Sequence, residues 1–298
     1  FGALANGMRY VWRVNSEPRH RAYLWMHIDV GSLSEEEHER GMAHFLEHMA
    51  FNGSRHFAAG TLVEWFQRHG MAFGADLNAY TGFGETVYKV DLPNSDERAL
   101  DEGLLVLRDF AFGLSLSAEE IEKEKGVVDC EETERDSPEY RLFVRWLQAL
   151  CGETRLDDRF PIGVRGVRAR FTAGAVRAFY RKWYRPENMT VILVGDFGDL
   201  EPTPLLEKHF GTVPRPASDL PRQPAAGKVT KLAHRLCLHE PDTPSVTIRI
   251  EKLLPGVEEP DDAAHRRAEV PLAVARSILD RRLQGQSEET DAPFLSAS

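Results

Sequence analysis

Five consecutive residues, the segment HFLEH at positions 44–48, constrain this chain more than any other part of its sequence. They lie in a helical pattern over Met42–Phe51, which Asn52-Gly53 ends. On a helix, His44 and His48 are four residues apart and project from one face, one turn above the other. Two imidazoles in this relation can both reach one zinc ion, at about 2.0–2.1 Å from each nitrogen. The segment therefore predicts two ligands of a metal site on one helix.

Glu47 lies beside His48 in the same segment, so its carboxylate can reach the same region. It can take a proton from zinc-bound water, whose pKa the metal lowers towards about 7. The H-x-x-E-H order is the inverse of the commoner H-E-x-x-H motif of zinc peptidases. The alternative is a chance match, because histidine pairs on helices are often surface residues. The apolar neighbours Phe45, Leu46 and Met49 are expected to face the core and hold the helix rigidly.

A catalytic zinc needs a third protein ligand and an open position for water. A second helix is predicted over Ser117–Asp136, with Ser117 as its N-cap and Glu120 placed as in a capping box. It offers many carboxylates: Glu119, Glu120, Glu122, Glu124, Asp129, Glu131, Glu132 and Glu134. Glu124 and Glu131 are seven residues apart, two turns along one face, which suits one ligand and one supporting partner. The spacing leaves open whether Glu131 or Glu132 is the ligand.

The remaining pattern predicts an α+β fold, a mostly antiparallel sheet with helices packed on one face. Strands are predicted over Met8–Val14, Arg21–Val30, Ala79–Leu92 and Met189–Val194, and helices over Thr61–His69, Asp96–Phe112, Tyr140–Leu150 and Thr172–Trp183. The acidic stretch Glu35–Glu39 is predicted to be a solvated loop or a helix start.

The predicted domain organisation has three parts. Residues 1–212 form the domain that carries HFLEH, residues 213–227 form a proline-rich linker, and residues 228–298 begin a second, incomplete domain. A strand over Val246–Ile250 and a helix over Ala264–Leu283 are predicted in this last part.

Composition excludes some classes of function. The formal net charge of −10 argues against nucleic-acid binding, which needs clustered Lys and Arg. No apolar run approaches the roughly 20 residues that cross a bilayer. Cys130, Cys151 and Cys237 are widely spaced and form no CxxC pair, so we expect neither disulfides nor a cysteine zinc site but buried or half-buried thiols.

Several segments resemble the pitrilysin/insulinase family of zinc metallopeptidases, and the bacterial periplasmic pitrilysin-like proteases in particular. They include NGMRYVW, GSLSEEEHERGMAHFLEHMAFNGS, LNAYTGFGETVYKVDLP, EKEKGVVDCEETERDSPEYR and FPIGVRGVRARF, within a resemblance that runs strongly from Asn6 to Phe197. The resemblance implies one zinc ion per chain, bound by His44, His48 and Glu131. It also implies Glu47 as general base and Glu124 as the group that orients a ligating histidine.

Family members bind substrate as an added strand at a sheet edge, and Asn78, Ala79 and Tyr80 match the residues concerned. Phe51 and Phe73 are expected in the core, with a place in the site as the alternative. The resemblance implies a zinc endopeptidase whose substrate is a peptide or a small unfolded protein. It favours the bacterial periplasm, although no signal peptide is visible in this sequence.

The family also pairs this half with a homologous second half, which supplies an Arg and a Tyr near the scissile carbonyl. We expect this C-terminal half of the same polypeptide to be missing here and activity to be incomplete without it. The alternatives are a non-catalytic binding or assembly subunit of the same fold, and a structural zinc protein with a fourth protein ligand.

Overall fold

The computed structural model describes residues 1–230, 235–243, 246–253 and 262–296. One sheet contains the strands β1 (Gly2–Ala3), β2 (Arg9–Val14), β3 (Ala22–Ile28), β4 (Leu77–Thr81), β5 (Thr86–Leu92) and β6 (Met189–Gly195). The α-helices of the described residues are α1 (Met42–Met49), α2 (Thr61–Arg68), α3 (Glu97–Phe112), α4 (Ala118–Arg135), α5 (Pro138–Cys151), α6 (Arg165–Arg168), α7 (Ala173–Trp183), α8 (Thr203–Leu206) and α9 (Ala263–Ser287). The chain divides into two compact units, Phe1–Pro244 and Ser245–Ser298.

The strands lie in the order β1-β2-β6-β3-β5-β4, and β2 with β6 is the parallel pair in an otherwise antiparallel sheet. Successive side chains of a strand point to opposite faces. In β3, Leu24 and Met26 are therefore fully buried, whereas Trp25 between them is half-buried on the other face. Helix α3 packs closely on the buried face, because a Cβ at Gly103 would lie 3.0 Å from Leu24. The predicted α+β fold is confirmed.

The single strand predicted over Ala79–Leu92 is wrong, because the structure has the two antiparallel strands β4 and β5 there. The turn between them contains Gly82 and Gly84, and the Gly82 N–H donates to the Glu85 carbonyl at 2.8 Å. Two glycines allow the chain to reverse where a β-branched run would continue straight. The reversal places β4 at the edge of the sheet.

The proline-rich stretch after Gly211 lies along the first unit. The Asn6 amide donates to the Val213 carbonyl at 2.9 Å, Arg185 Nη1 donates to the Asp219 carbonyl at 3.0 Å, and the Arg155 N–H donates to the Ala226 carbonyl at 2.7 Å. The stretch is irregular in backbone but is held by these hydrogen bonds at its start, middle and end. The predicted domain boundaries stay a prediction.

In the second unit, the helix predicted over Ala264–Leu283 corresponds to α9. The predicted strand Val246–Ile250 is wrong. These residues are exposed, and no strand pairs with them within the described part of the chain. Alternating β-branched residues favour an extended backbone, but a strand also needs a neighbour with which to exchange hydrogen bonds.

Two further expectations about side-chain environment need correction. Cys130 and Cys237 are exposed thiols, and only Cys151 of the three is buried as expected. Glu35, expected in a solvated stretch, is fully buried. Among the described helices, none is both long enough and apolar enough to cross a membrane.

Candidate metal centre

Helix α1 carries HFLEH and is embedded in the core. Phe45, Leu46 and Met49 are fully buried, as predicted. The helix begins after Gly41, whose φ of 94° is left-handed and whose missing side chain offers no cap. Gly163 packs on Gly41 so closely that a Cβ there would collide with the Gly41 backbone. The position of α1 is thus set by contacts distant in sequence.

Glu35 supplies the cap that Gly41 lacks. Its Oε2 accepts the Gly41 N–H and its Oε1 accepts the Ala43 N–H, both at 2.8 Å. These are amide donors at the start of α1, where a negative charge is favoured. Burial nevertheless raises the pKa of Glu35 to about 8, against the effect of the two hydrogen bonds.

His44, His48 and Glu131 bring one atom each to a small triangle. The two Nε2 atoms are 3.3 Å apart, and Glu131 Oε2 lies 3.5 Å from His44 Nε2 and 3.2 Å from His48 Nε2. His44 is buried, and the other two are half-buried. The two histidines come from α1 and the glutamate from α4. Within the described residues, this is the one group of three or more His, Cys, Asp or Glu side chains that could hold a metal ion.

These distances fit a tetrahedral ion. With metal–ligand bonds of about 2.0–2.1 Å, the ligand atoms of a tetrahedron lie about 3.3 Å from one another. Glu131 Oε2 is buried and has no hydrogen-bond partner among the described residues, which is costly for a carboxylate oxygen unless another ligand satisfies it. The donor set and its spacing therefore suit zinc.

The electrostatics of the triangle favour a bound cation. Burial, together with the neighbouring His48, lowers the pKa of His44 to about 3, so this imidazole keeps its lone pair. Burial alone would lower the pKa of His48, but Glu124 and Glu131 raise it to about 9. Burial opposes ionisation of Glu131, yet the adjacent His48 and the charges of His44 and Arg135 lower its pKa to about 2. A proton on His48 occupies the place that a metal ion would take.

Glu124 contacts His48 at Nδ1, the ring nitrogen that does not face the triangle. His48 Nδ1 lies 2.7 Å from Glu124 Oε1, and the Asn52 amide donates to the other carboxylate oxygen of Glu124. A proton on Nδ1 leaves the Nε2 lone pair facing the triangle, the usual arrangement behind a ligating histidine. Glu132, the other candidate for third ligand, instead lies 2.5 Å from Arg168 Nη2. In the structure, Glu131 therefore lies beside the two histidines, whereas Glu132 lies beside Arg168.

Thr81 is a site residue that sequence reasoning missed. Its hydroxyl donates to Glu47 Oε2 at 2.7 Å. Burial raises the pKa of Glu47, and this hydrogen bond acts in the opposite direction. Thr81 lies two residues after Ala79 in β4, so both point to the same face of the strand. This alternation could have placed Thr81 on the same face as Ala79, but its contact with Glu47 could be predicted only by knowing that β4 runs past α1.

A cavity of about 320 Å³ opens at the triangle. It is lined by His44, Glu47, His48, Phe51, Phe73, Asn78, Ala79, Tyr80, Thr81, Glu131 and Arg135. Phe73 was expected in the core but is 55% exposed, and its ring packs edge-on against Phe51 at 5.3 Å. It stays exposed because it lies in the loop before the edge strand β4.

Asn78, Ala79 and Tyr80 lie on β4, which pairs with β5 on one side. The Tyr80 hydroxyl donates to Glu85 at 3.1 Å, and the Lys89 ammonium lies 4.9 Å from the Tyr80 ring. The Asn78 amide donates to the Gly74 carbonyl at 3.1 Å. The side chains of Asn78 and Tyr80 are thus engaged locally, and the backbone of this edge strand borders the cavity.

A two-layer α+β domain with an inverted H-x-x-E-H helix and a distant glutamate defines a class of metallopeptidase-like proteins. Residues 10–150 match the family described as Insulinase (Peptidase family M16), and residues 170–265 match the Peptidase M16 inactive domain. The chain belongs to the M16, or insulinase, family of peptidases. The resemblance seen in the sequence is confirmed.

Individual relatives support the same family assignment. The probable zinc protease PqqL of Escherichia coli (strain K12) is 36% identical over 213 residues, which cover 72% of this chain and 23% of the relative. The zinc protease PQQL-like of Arabidopsis thaliana is 31% identical over 300 residues, 100% of this chain and 31% of the relative. The crystal structure of the first half of the periplasmic protease PqqL from Escherichia coli superposes with a TM-score of 0.71 and 35% identity, covering 75% of this chain and 48% of that one. The chain thus spans about a quarter to a third of the length of these curated relatives.

Proposed function

We propose that this chain is the metal-binding part of a zinc-dependent endopeptidase. His44, His48 and Glu131 are the zinc ligands and Glu47 is the general base. The observation that carries the proposal is the triangle of donor atoms, with sides of 3.2, 3.3 and 3.5 Å, which joins helices α1 and α4.

The composition of the triangle favours a catalytic site over a structural one. Structural zinc is held by four protein ligands, whereas catalytic zinc has three and keeps one position open. The group in the described residues has three members and borders an open cavity. Two histidines and one glutamate are also the ligands of several known zinc peptidases.

The protein's own groups have defined tasks in peptide hydrolysis. Bound zinc supplies Lewis acidity, which polarises a carbonyl and lowers the pKa of water towards about 7. Glu47 accepts a proton from the attacking water at one carboxylate oxygen and passes it to the leaving amine. Thr81 holds the other oxygen, Oε2, so that the carboxylate keeps one orientation. Glu124 keeps His48 in the tautomer that can bind the metal.

The edge strand β4 suits a peptide substrate. An extended peptide can add through main-chain hydrogen bonds to the side of β4 that faces away from β5, beside Asn78, Ala79 and Tyr80 and next to the triangle. Main-chain hydrogen bonds depend little on the side chains of the bound segment, so peptides of varied sequence can bind in this way. We therefore propose peptides or small unfolded proteins as substrates. Because the chain spans only part of its relatives, we propose that the rest of the polypeptide completes the active site.

Metal content tests the ligand assignment. The chain is expected to bind about one zinc per molecule, measured by elemental analysis after dialysis, and His48→Ala is expected to lose it. His69→Ala removes an exposed histidine on the C-terminal side of α2 and is the matched control. Equal zinc content in the parent and His48→Ala would contradict the assignment.

Peptide hydrolysis by the full-length polypeptide tests the general base. Glu47→Gln is expected to keep its zinc and to lose at least about 100-fold in kcat, because general-base catalysis contributes about 10²–10⁴-fold. Glu64→Gln, an exposed change on α2, is the control. If the parent binds zinc but cleaves no peptide, the rival function, a non-catalytic binding subunit, is correct.

A further inference from the structure

Helix α4 carries Glu131 but has little apolar packing to fix it. All its residues are described, and the buried ones are Ile121, Glu124 and Val128. Glu131 lies beyond the last of these, in a half where the helix is at most half-buried. Val127 is 51% exposed. Something other than apolar packing must therefore set the rotation of this half of α4.

Arg168, in the short helix α6, supplies that fixation. Its side chain is fully buried. Nε and Nη2 lie 2.8 and 2.5 Å from Asp129 Oδ1, and Nη2 lies 2.5 Å from Glu132 Oε2. Nη1 donates to the Ile162 carbonyl at 2.9 Å. A planar guanidinium with fixed N–H directions is suited to holding two carboxylates in one orientation.

The geometry of α4 relates the contacts of Arg168 to the metal site. At about 100° per residue, Asp129 and Glu132 share one face of α4, whereas Glu131 points about 130° away from the middle of that face. Glu124 points within about 20° of Glu131, because seven residues are nearly two full turns. When Arg168 fixes Asp129 and Glu132, it therefore also fixes the rotation of α4 at which both Glu131 and Glu124 face the two histidines of α1.

We infer that Arg168 is a positioning residue of the metal site, which fixes the rotation of α4 and so presents Glu131 as ligand and Glu124 as its support. Arg168 touches neither the triangle nor Glu131 in the contacts described above, so it acts through Asp129 and Glu132. The inference rests on the metal-binding part of the proposed function and is independent of whether the protein cleaves peptides.

The test measures the affinity of this chain for Zn²⁺ alone, by competition with a chelator, well below the melting temperature. Arg168→Gln is expected to weaken zinc binding about 10–100-fold, the usual cost of losing a residue that supports a ligand. Arg168→Lys keeps the charge and is expected to recover part of the loss. Arg165→Gln is the matched control, because Arg165 contacts the same two carboxylates but is 56% exposed.

A general loss of stability must be separated from a loss of positioning. Leu206→Ala removes a fully buried side chain of α8, away from α4, and is expected to lower the melting temperature while leaving zinc affinity unchanged. If Arg168→Gln does not fold, Asp129→Asn weakens the same grip more gently and is expected to reduce affinity several-fold.

The possible results are distinct. Unchanged zinc affinity in Arg168→Gln, or in Asp129→Asn if that variant is used, would overturn the inference. Equal weakening by Leu206→Ala would do the same, because it would show that any loss of stability weakens the site. A parent chain that binds no zinc would instead remove the proposed function itself.

Discussion

The buried carboxyl of Glu35 makes the stability of this protein depend on pH in a defined direction. Burial raises its pKa from 4.5 to about 8, so the folded chain binds this proton more tightly than the unfolded chain does. For such a group the stabilisation is complete below the unfolded pKa of 4.5 and is lost as the pH rises through about 8. Integrating between about pH 6 and about pH 8 gives a loss of about 2 kcal/mol in the free energy of unfolding.

The substitution Glu35→Gln removes the ionisable carboxyl group and keeps a side chain of nearly the same shape. The glutamine carbonyl can accept only one of the two N–H groups that Glu35 accepts from Gly41 and Ala43. At about pH 6 the variant is therefore expected to be less stable than the parent by about 1–3 kcal/mol, the cost of a buried unpaired donor. At about pH 8 the difference is expected to shrink by about 2 kcal/mol, because only the parent loses stability through this group.

Urea unfolding followed by circular dichroism at several pH values measures this difference. Other groups, including His44 and His48, also titrate, but they are present in both proteins and cancel in the comparison. Glu64→Gln, an exposed change on α2, is expected to show no pH-dependent difference from the parent. A constant difference between the parent and Glu35→Gln from about pH 6 to about pH 8 would refute the reasoning.

Three further changes have expected outcomes. Thr81→Val removes the hydrogen bond to Glu47 and is expected to lower kcat of the full-length enzyme about 10-fold, because losing that bond raises the activation free energy by roughly 1.4 kcal/mol. Zinc content is expected to stay unchanged and Thr81→Ser to recover the activity, whereas an unchanged kcat in Thr81→Val would remove Thr81 from the site. Glu124→Gln is expected to weaken zinc binding about 10–100-fold in a chelator competition. An effect no larger than that of the exposed control Glu122→Gln would contradict its role. Gly163→Ala is expected to destabilise by more than about 1 kcal/mol in urea unfolding, because its Cβ would collide with Gly41 and its φ is 72°; unchanged stability would mean that this contact can relax.

Much of the site is visible in the sequence because its spacing is local. The four-residue interval between His44 and His48 and the seven-residue interval between Glu124 and Glu131 are helical repeats, and both predicted helices are present as α1 and α4. The Ser117 cap is also confirmed, since its hydroxyl accepts the Glu120 N–H at 3.2 Å. Residues that share a helix face can be identified without knowing what that face meets.

The sequence pattern was less informative where a residue acts on another part of the chain. Glu35 looked like one of several solvated acidic residues, yet it caps α1. Thr81 was predicted to lie near the start of one long strand, yet it ends β4 just before a turn at Gly82–Glu85, and its hydroxyl contacts Glu47. Neither contact leaves a periodic signal, because each joins elements whose approach is set by the packing of the whole sheet and its helices.

The sequence by itself determined the side chains available for chemistry in this protein: two histidines and a glutamate on one helix, and two glutamates seven residues apart on another. Only the tertiary structure decided which of two adjacent glutamates meets the histidines. Glu131 lies 3.2 Å from His48, whereas Glu132 is held by the buried Arg168. The reason is that periodicity gives the angle between residues of one helix but not the rotation of that helix against its neighbour, which long-range contacts alone can fix.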